Sequence, residues 1–308
     1  MDNIVTANTV LSDINEIYTG YCLAGKKWFD TQAQAQYNLR ITQAKPEEVQ
    51  DAQGKAEAMA DEFKKWANLN GYQSVNITKI YWTARPNSMS AAVGKPVDQK
   101  KNPTDILVKF STGPANGWLG LSAKATKGKG DIGFKNPGVG TVDRNLNMSF
   151  ADQYKKLLDE TIKTYNLPPD AISRKLFIRM NPKIKIETEK IGSKMMEDMR
   201  DKLLVRIQKF NQKELLDYLL KDWMDAEVIY PPYIKVTGQG SRAPYRAAVM
   251  NPVENDKLSA LGNYPITAEK VGNESIGIKA GDKKIMKIRF KFESEKMASS
   301  LKLSGDPW

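Results

Sequence analysis

The N-terminal part of the chain carries apolar residues at helical intervals. Residues 10–42 show this spacing in two pieces, which we expect to be broken at Gly20 and Gly25 because glycine weakens a helix interior. The segment 31–40 is rich in glutamine and alanine. We expect residues 1–45 to form an N-terminal helical cap.

A longer helix is predicted to begin at Pro46. Proline is favoured in the first turn, and Glu47 and Glu48 place carboxylates at the positive end of the helix dipole. Asn70-Gly71 is a typical stop. Apolar residues follow one face of this helix at Val49, Ala52, Ala56, Met59, Phe63 and Trp66.

Three strands are predicted after this helix. Residues 72–82 alternate between apolar and polar side chains, which is typical of a strand. The polar segment 85–101 is expected to be a loop. Two apolar runs follow, one directly after Asp105 and one around Leu121. The order along the chain is therefore helix, strand, strand, strand.

The second half of the chain mixes helical and strand patterns. Residues 151–165 predict a helix that two prolines stop, and the run KLFIR at 175–179 predicts a strand. Amphipathic helices are expected at 192–210 and 212–224. Further strands are expected at 233–237, 245–250, 276–279 and 284–293.

These elements predict an α/β (α+β) protein whose mixed sheet is flanked by helices. We expect the α/β core to occupy residues 46–183, and a helical segment followed by a β-rich C-terminal region to occupy residues 184–308. A chain of 308 residues can bury a sizeable core in one domain or two.

Composition and charge point to a globular protein with an anionic partner. Apolar residues make up 41% and charged residues 27% of the chain. We find no long uncharged apolar run and no signal-peptide pattern, so we expect a cytoplasmic protein that is not bound to a membrane. The net charge of +11 favours nucleic acid as the partner.

The residue types that are missing exclude several kinds of chemistry. The chain has no histidine, which excludes Ser-His-Asp and Cys-His catalysis and zinc sites that need imidazole. The single Cys22 lies between apolar neighbours and is expected to be a small buried hydrophobe. Acid–base or metal chemistry must therefore use Asp, Glu, Lys or Tyr.

Residues 102–138 carry the strongest candidate chemistry. Asp105 stands at the head of one predicted strand and Lys124 closes the next. In an antiparallel pair both side chains can reach the same end of the sheet, where a carboxylate can hold a divalent metal and an ammonium can stabilise a phosphate. The alternatives are an aspartate that begins a strand after a turn and a solvated strand-end lysine.

The segments PTD at 103–105 and SAK at 122–124 resemble the active-site motif of the restriction-endonuclease-like nucleases, the PD-(D/E)XK superfamily. Members have a helix and a three-stranded antiparallel meander, followed by a further helix and strand. The motif places an aspartate on the second strand, and an acid and a lysine two apart on the third. The resemblance covers roughly residues 47–180, with 151–165 and 175–179 as its last helix and strand.

The resemblance implies a metal-dependent nuclease, an endodeoxyribonuclease that hydrolyses phosphodiester bonds of double-stranded DNA. Asp105 and a second carboxylate would hold Mg²⁺ or Mn²⁺. Lys124 would orient or help to deprotonate the attacking water and would stabilise the phosphate. Ser122 counts as the third motif residue, at the position of the family's acid.

Serine at position 122 departs from the family pattern, because a hydroxyl is a much weaker ligand for a divalent metal than a carboxylate. Two explanations stay open: a carboxylate from elsewhere supplies the charge, or catalysis is lost. We favour the first, with Glu48 and Glu62 of the long helix and Asp131 of the following loop as candidates.

The loop after Lys124 has a second predicted use. Lys127, Lys129 and Lys135 alternate with glycines, so ammonium groups and backbone amides can approach phosphates closely. Phe134 is a candidate for stacking on a base. The alternative is a solvated, charged hairpin.

Two other functions fit the same residues. The first is a catalytically inactive nucleic-acid-binding or assembly protein that keeps the fold, with Ser122 marking the loss of catalysis. The second is a structural component whose helices at 192–224 mediate oligomerisation. A homodimer is one expected assembly.

Overall fold

The computed structural model describes residues 7–73, 76–99, 101–128, 134–224, 226–227 and 229–308. The chain forms two compact units. The first combines Met1–Ile132 with Glu227–Asn255, and the second combines Gly133–Ala226 with Asp256–Trp308. Each unit is built from two separate stretches of chain. The divisions predicted from the sequence lie after residues 45 and 183.

The first unit consists of helices on a mixed sheet. Its helices are α1 (Ala7–Leu23), α2 (Thr31–Ile41), α3 (Pro46–Leu69) and α4 (Ser88–Val93). Its strands are β1 (Ile77–Trp82), β2 (Ile106–Phe110), β3 (Trp118–Thr126), β4 (Tyr233–Gln239) and β5 (Arg246–Met250). The predicted long helix is confirmed, and α4 lies inside the segment that was expected to be a loop.

The strands of the first unit pair in the order β1-β2-β3-β4-β5. β1, β2 and β3 form an antiparallel meander, which confirms the predicted order of helix and three strands. β4 is parallel to β3, and β5 is antiparallel to β4. The fold is therefore a mixed α/β sheet with helices.

One face of this sheet is covered by α1 and α3. Ile14 and Ile17 of α1 and Met59 and Phe63 of α3 have no exposed surface, and they pack in one cluster with Val108 of β2. Burial of such side chains contributes roughly 1.5–3 kcal/mol each to folding. The N-terminal helix therefore shares the core of the sheet.

Gly20 does not interrupt α1, contrary to the expected break. A Cβ atom at this position would come within 2.6 Å of the Phe29 ring, so glycine leaves the space that the ring fills. The helix ends at Leu23, and Gly25 follows with a φ of +69°, which favours glycine.

The second unit joins helices to an antiparallel sheet. Its helices are α5 (Val139–Leu146), α6 (Phe150–Tyr165), α7 (Ala171–Met180), α8 (Pro182–Gln208), α9 (Gln212–Asp222) and α10 (Asp256–Asn263). Its strands are β6 (Ile266–Val271), β7 (Ser275–Ala280), β8 (Lys283–Phe292) and β9 (Leu301–Pro307), paired in that order. The helices predicted at 151–165, 192–210 and 212–224 are confirmed, whereas β6 and β9 are additional.

The prediction of a strand at 175–179 is wrong, because these residues lie within α7. A run of three apolar residues, here Leu176, Phe177 and Ile178, does not distinguish a strand from a buried helix turn. The start of α7 is set by Asp170, whose Oδ1 accepts a hydrogen bond from the Ser173 amide at 2.8 Å. Ile178 is fully buried on the inner face of the helix. The strand beside β3 is β4 instead, more distant in the chain.

Among the described residues, no helix combines the length and the apolar composition that crossing a membrane requires.

Candidate active site

Asp105 lies immediately before β2, at the end of the sheet where β3 approaches its last residues. Its amide donates to the Leu121 carbonyl at 2.9 Å, which extends the β2–β3 ladder by one residue. The Asp105 carboxylate accepts three hydrogen bonds at Oδ2: from the Ala123 amide at 2.8 Å, from Lys124 Nζ at 3.2 Å and from Ser122 Oγ at 3.4 Å. The structure therefore brings the three predicted residues of the motif together.

These three side chains differ in their exposure to solvent. The Lys124 side chain is 53% exposed and that of Asp105 is 21% exposed, whereas Ser122 is fully buried. Burial is the largest influence on Asp105 and raises its pKa, while Lys124 and the other two donors act in the opposite direction. Ser122 donates a hydrogen bond here but brings no second negative charge.

Glu16 is a further carboxylate near this end of the sheet. It lies on α1, and its Oε2 accepts a hydrogen bond from the Trp82 indole at 3.2 Å. The pKa of Glu16 is raised from 4.5 to about 8, mainly by burial and secondly by the charge of Asp105, whereas Trp82 and Lys124 act in the opposite direction. Trp82 pairs with Ile106, the residue after Asp105, so the half-buried Glu16 lies near Asp105 and Lys124.

Glu16 was not among the carboxylates considered from the sequence. The available signal is a run of polar side chains within a buried helix: Asn15 and Thr19 are buried beside Ile14 and Ile17. Buried polar groups in an otherwise apolar helix face require a partner or a function. The helical spacing alone does not show which turn of α1 faces the end of β3.

The other proposed carboxylates have different positions. Glu62 forms an exposed pair with Lys65 at 3.1 Å, and it does not line the groove beside Lys124. Glu48 does line that groove, but its carboxylate accepts from the Lys45 amide at 3.2 Å as part of the capping box of α3. Asp131 lies outside the described residues.

A groove of about 670 Å³ opens between α1, the first turns of α3 and the end of β3. Its polar lining consists of Ser12, Asn15, Glu47, Glu48, Asp51, Lys55, Lys124, Thr126, Lys127 and Ser241. Lys55 is buried and pairs with Asp51 at 2.6 Å. Asn15 Oδ1 and Asp51 Oδ1 are buried beside the groove, and within the described part of the chain neither oxygen has a hydrogen-bond donor.

A second lysine lies next to the motif on the neighbouring strand. Lys235 of β4 is opposite Ser122 in the parallel register of β3 and β4, and it is buried. The pKa of Lys235 is lowered to about 8, mainly by burial and also by the positive charge of Lys124. Two ammonium groups on adjacent strands make this end of the sheet favourable for an anion.

The predicted lysine loop is divided between the two units. Lys127 is exposed and lines the groove of the first unit. Lys135 belongs to the second unit, and its Nζ donates to the Lys221 carbonyl at 3.0 Å. Lys129 lies outside the described residues. Phe134 is only 6% exposed, so the suggestion that it stacks on a base is wrong.

A divalent metal at this site would have few protein ligands. Among the described residues, no group of three His, Cys, Asp or Glu side chains is arranged as a metal site. Mg²⁺, however, is typically held by one or two carboxylates together with water and substrate phosphate. Glu16 and Asp105 would be such carboxylates: the charge of Asp105 raises the pKa of Glu16, and a cation would offset the cost of ionising both.

No protein-family model matches the sequence, and comparison with curated proteins gives no match.

Proposed function

We propose that the chain is a metal-dependent nuclease that hydrolyses phosphodiester bonds of double-stranded DNA, with a site that resembles the PD-(D/E)XK type. The observation that supports it best is the Asp105 carboxylate, which is bound by Lys124 at 3.2 Å and whose charge raises the pKa of the half-buried Glu16. In this proposal Glu16 provides the negative charge that Ser122 cannot.

Glu16 and Asp105 are the residues that would hold Mg²⁺ or Mn²⁺. When bound, the ion would supply Lewis-acid polarisation of the scissile phosphate. Lys124 is half exposed and points into the groove, so its ammonium can orient the attacking water and stabilise negative charge on the phosphate. Asp105 holds that ammonium in place through its hydrogen bond.

The groove gives the phosphate backbone a path to Lys124, whose ammonium is bonded to Asp105, although Asp105 and Glu16 are not part of its lining. Lys124 and Lys127 line it from the β3 side, and the buried Lys235 adds positive charge on the next strand. Basic groups that follow a groove bind nucleic acid largely through its phosphates, which positions the substrate without reading its sequence.

The main rival is a nucleic-acid-binding protein with the same fold and no catalysis. The buried, neutral Ser122 in the middle of the motif favours it. Binding without cleavage requires the basic groups Lys124, Lys127 and Lys235 but no metal, so the two functions differ in their dependence on divalent ions.

Cleavage that depends on Mg²⁺ or Mn²⁺ is the first expected result. The purified chain should cut double-stranded DNA with either ion and should show no cleavage in EDTA, because Glu16 and Asp105 alone lack the required positive charge. Single-stranded DNA and RNA of the same sequence serve as comparison substrates. Cleavage that persists in EDTA would contradict the mechanism, and no cleavage of any substrate would favour the rival.

A further inference from the structure

The antiparallel sheet of the second unit has two unlike faces. From Met286 to Lys291 the side chains of β8 alternate between the two faces, and a register shift opposite Ile278 and Lys279 places Lys284 on the same face as Lys287. Met286, Ile288 and Phe290 are buried on one face, whereas Lys287, Arg289 and Lys291 occupy the other. The outer face of this sheet is therefore basic, although Arg289 is paired with Asp306 of β9 at 3.0 Å.

Trp308 lies on this outer face among lysines. Its ring packs against Gly277, where a Cβ atom would come within 2.5 Å of the indole. Gly277 is opposite Lys287 in the β7–β8 register. The distances from the ring centroid to Nζ are 4.8 Å for Lys284, 5.4 Å for Lys279 and 5.8 Å for Lys287. An aromatic ring is thus surrounded by three ammonium groups.

These ammonium groups are only partly neutralised. Lys279 pairs with Glu269 across β6 and β7 at 2.6 Å. For Lys284, Lys287 and Lys291, by contrast, no carboxylate of the described part of the chain forms an ion pair. Unpaired cations gathered on a solvated strand face repel one another, and an anionic partner relieves that repulsion.

We propose that the outer face of the β6–β9 sheet, around Trp308, binds single-stranded nucleic acid. Lys284, Lys287 and Lys291 would contact phosphates, and the partly exposed indole would stack on a base. A flat sheet that combines basic groups with an aromatic ring suits single strands, because bases inside a duplex are stacked on each other and cannot reach the indole. Such binding goes beyond the proposed cleavage and requires neither a metal nor Asp105.

The test is titration of a labelled oligothymidylate with the full chain in EDTA, followed by fluorescence anisotropy at several salt concentrations. Trp308→Ala should weaken binding about tenfold, and Trp308→Phe should retain part of the affinity. Lys284→Ala/Lys287→Ala should weaken binding and reduce the log–log salt slope by up to about 1.4, since each single-strand phosphate contact contributes about 0.7.

Two matched controls separate stacking from general charge. Lys155→Ala/Lys156→Ala removes the same charge from exposed positions of α6 and should leave both affinity and slope near the wild-type values. An abasic oligonucleotide of equal length carries the phosphates without bases, so Trp308→Ala should bind it as well as the wild type does.

Three outcomes would overturn the proposal: equal loss for Trp308→Ala on the abasic and the normal strand, equal loss in the α6 control, or an unchanged salt slope in the double lysine variant. Circular dichroism of each variant reports whether the fold is intact. If Trp308→Ala unfolds, Trp308→Phe and the lysine variants still decide the question. Because EDTA is present throughout, a failure of the proposed cleavage leaves this measurement unaffected.

Discussion

Asp105→Asn and Lys124→Ala are each expected to abolish Mg²⁺-dependent DNA cleavage while leaving the fold intact. Asp105 both carries charge for the ion and holds the Lys124 ammonium, so either change removes groups that stabilise the transition state. We expect the cleavage rate to fall roughly a hundredfold to a thousandfold in each variant. Initial rates and thermal melting temperatures of each variant, measured side by side, check this expectation.

The α3 helix offers a matched control for this pair. Glu62 and Lys65 form an ion pair of similar length, 3.1 Å, on an exposed surface away from the groove. Glu62→Gln and Lys65→Ala remove the same kinds of charge and should keep the wild-type rate. Two results would show that Asp105 and Lys124 have only a structural role: a loss of activity in proportion to the fall in melting temperature, or an equal loss of activity in the control variants.

The local part of this site could be predicted from the sequence. Asp105 and Lys124 lie on strands joined by a short connection, so their antiparallel pairing is decided by nearby residues and their meeting follows from register. The long helix was equally predictable, since Pro46 and Asn70 mark its ends and its apolar residues recur at helical spacing.

The non-local part could not be predicted in this way. Glu16 lies near Asp105 because α1 packs on the sheet. The helical spacing of α1 does not specify which strand end Glu16 faces. The strand beside β3 is β4, which follows the whole block of helices α5–α9 in the chain. Parallel pairing needs such a crossover, and no local pattern identifies its partner strand. The segment 175–179 was predicted to be the strand that follows the meander, because a short apolar run fits a strand and a helix equally well.

Glu16→Gln is expected to stabilise the protein at alkaline pH and to have little effect in acid. The folded-state pKa of Glu16 is raised from 4.5 to about 8, so the unfolded chain releases this proton first as the pH rises. Stability is therefore lost progressively between pH 4.5 and about pH 8, by up to about 5 kcal/mol at one pKa unit per 1.4 kcal/mol. Burial, Asp105 and Asp13 favour the protonated form, while Trp82 and Lys124 oppose it.

Glutamine keeps the shape of the side chain but cannot ionise, so it removes this cost. Melting temperatures by circular dichroism should rise by about 5 to 10 °C near pH 9 and change little near pH 5. Glu62→Gln, on the exposed part of α3, should change neither value. An equal melting temperature for wild type and Glu16→Gln at both pH values would show that Glu16 does not carry a buried, raised pKa.

The same variant tests whether Glu16 and Asp105 hold a cation together. Millimolar Mg²⁺ should raise the melting temperature of the wild type at alkaline pH, because a ligand that binds only the folded state stabilises it and here also offsets the repulsion between two partly buried carboxylates. In Glu16→Gln one donor charge is missing, so the Mg²⁺-dependent increase should be lost or strongly reduced, whereas Glu62→Gln should respond as the wild type does. Equal stabilisation of all three proteins by Mg²⁺ would place the cation elsewhere and would separate Glu16 from the proposed nuclease site.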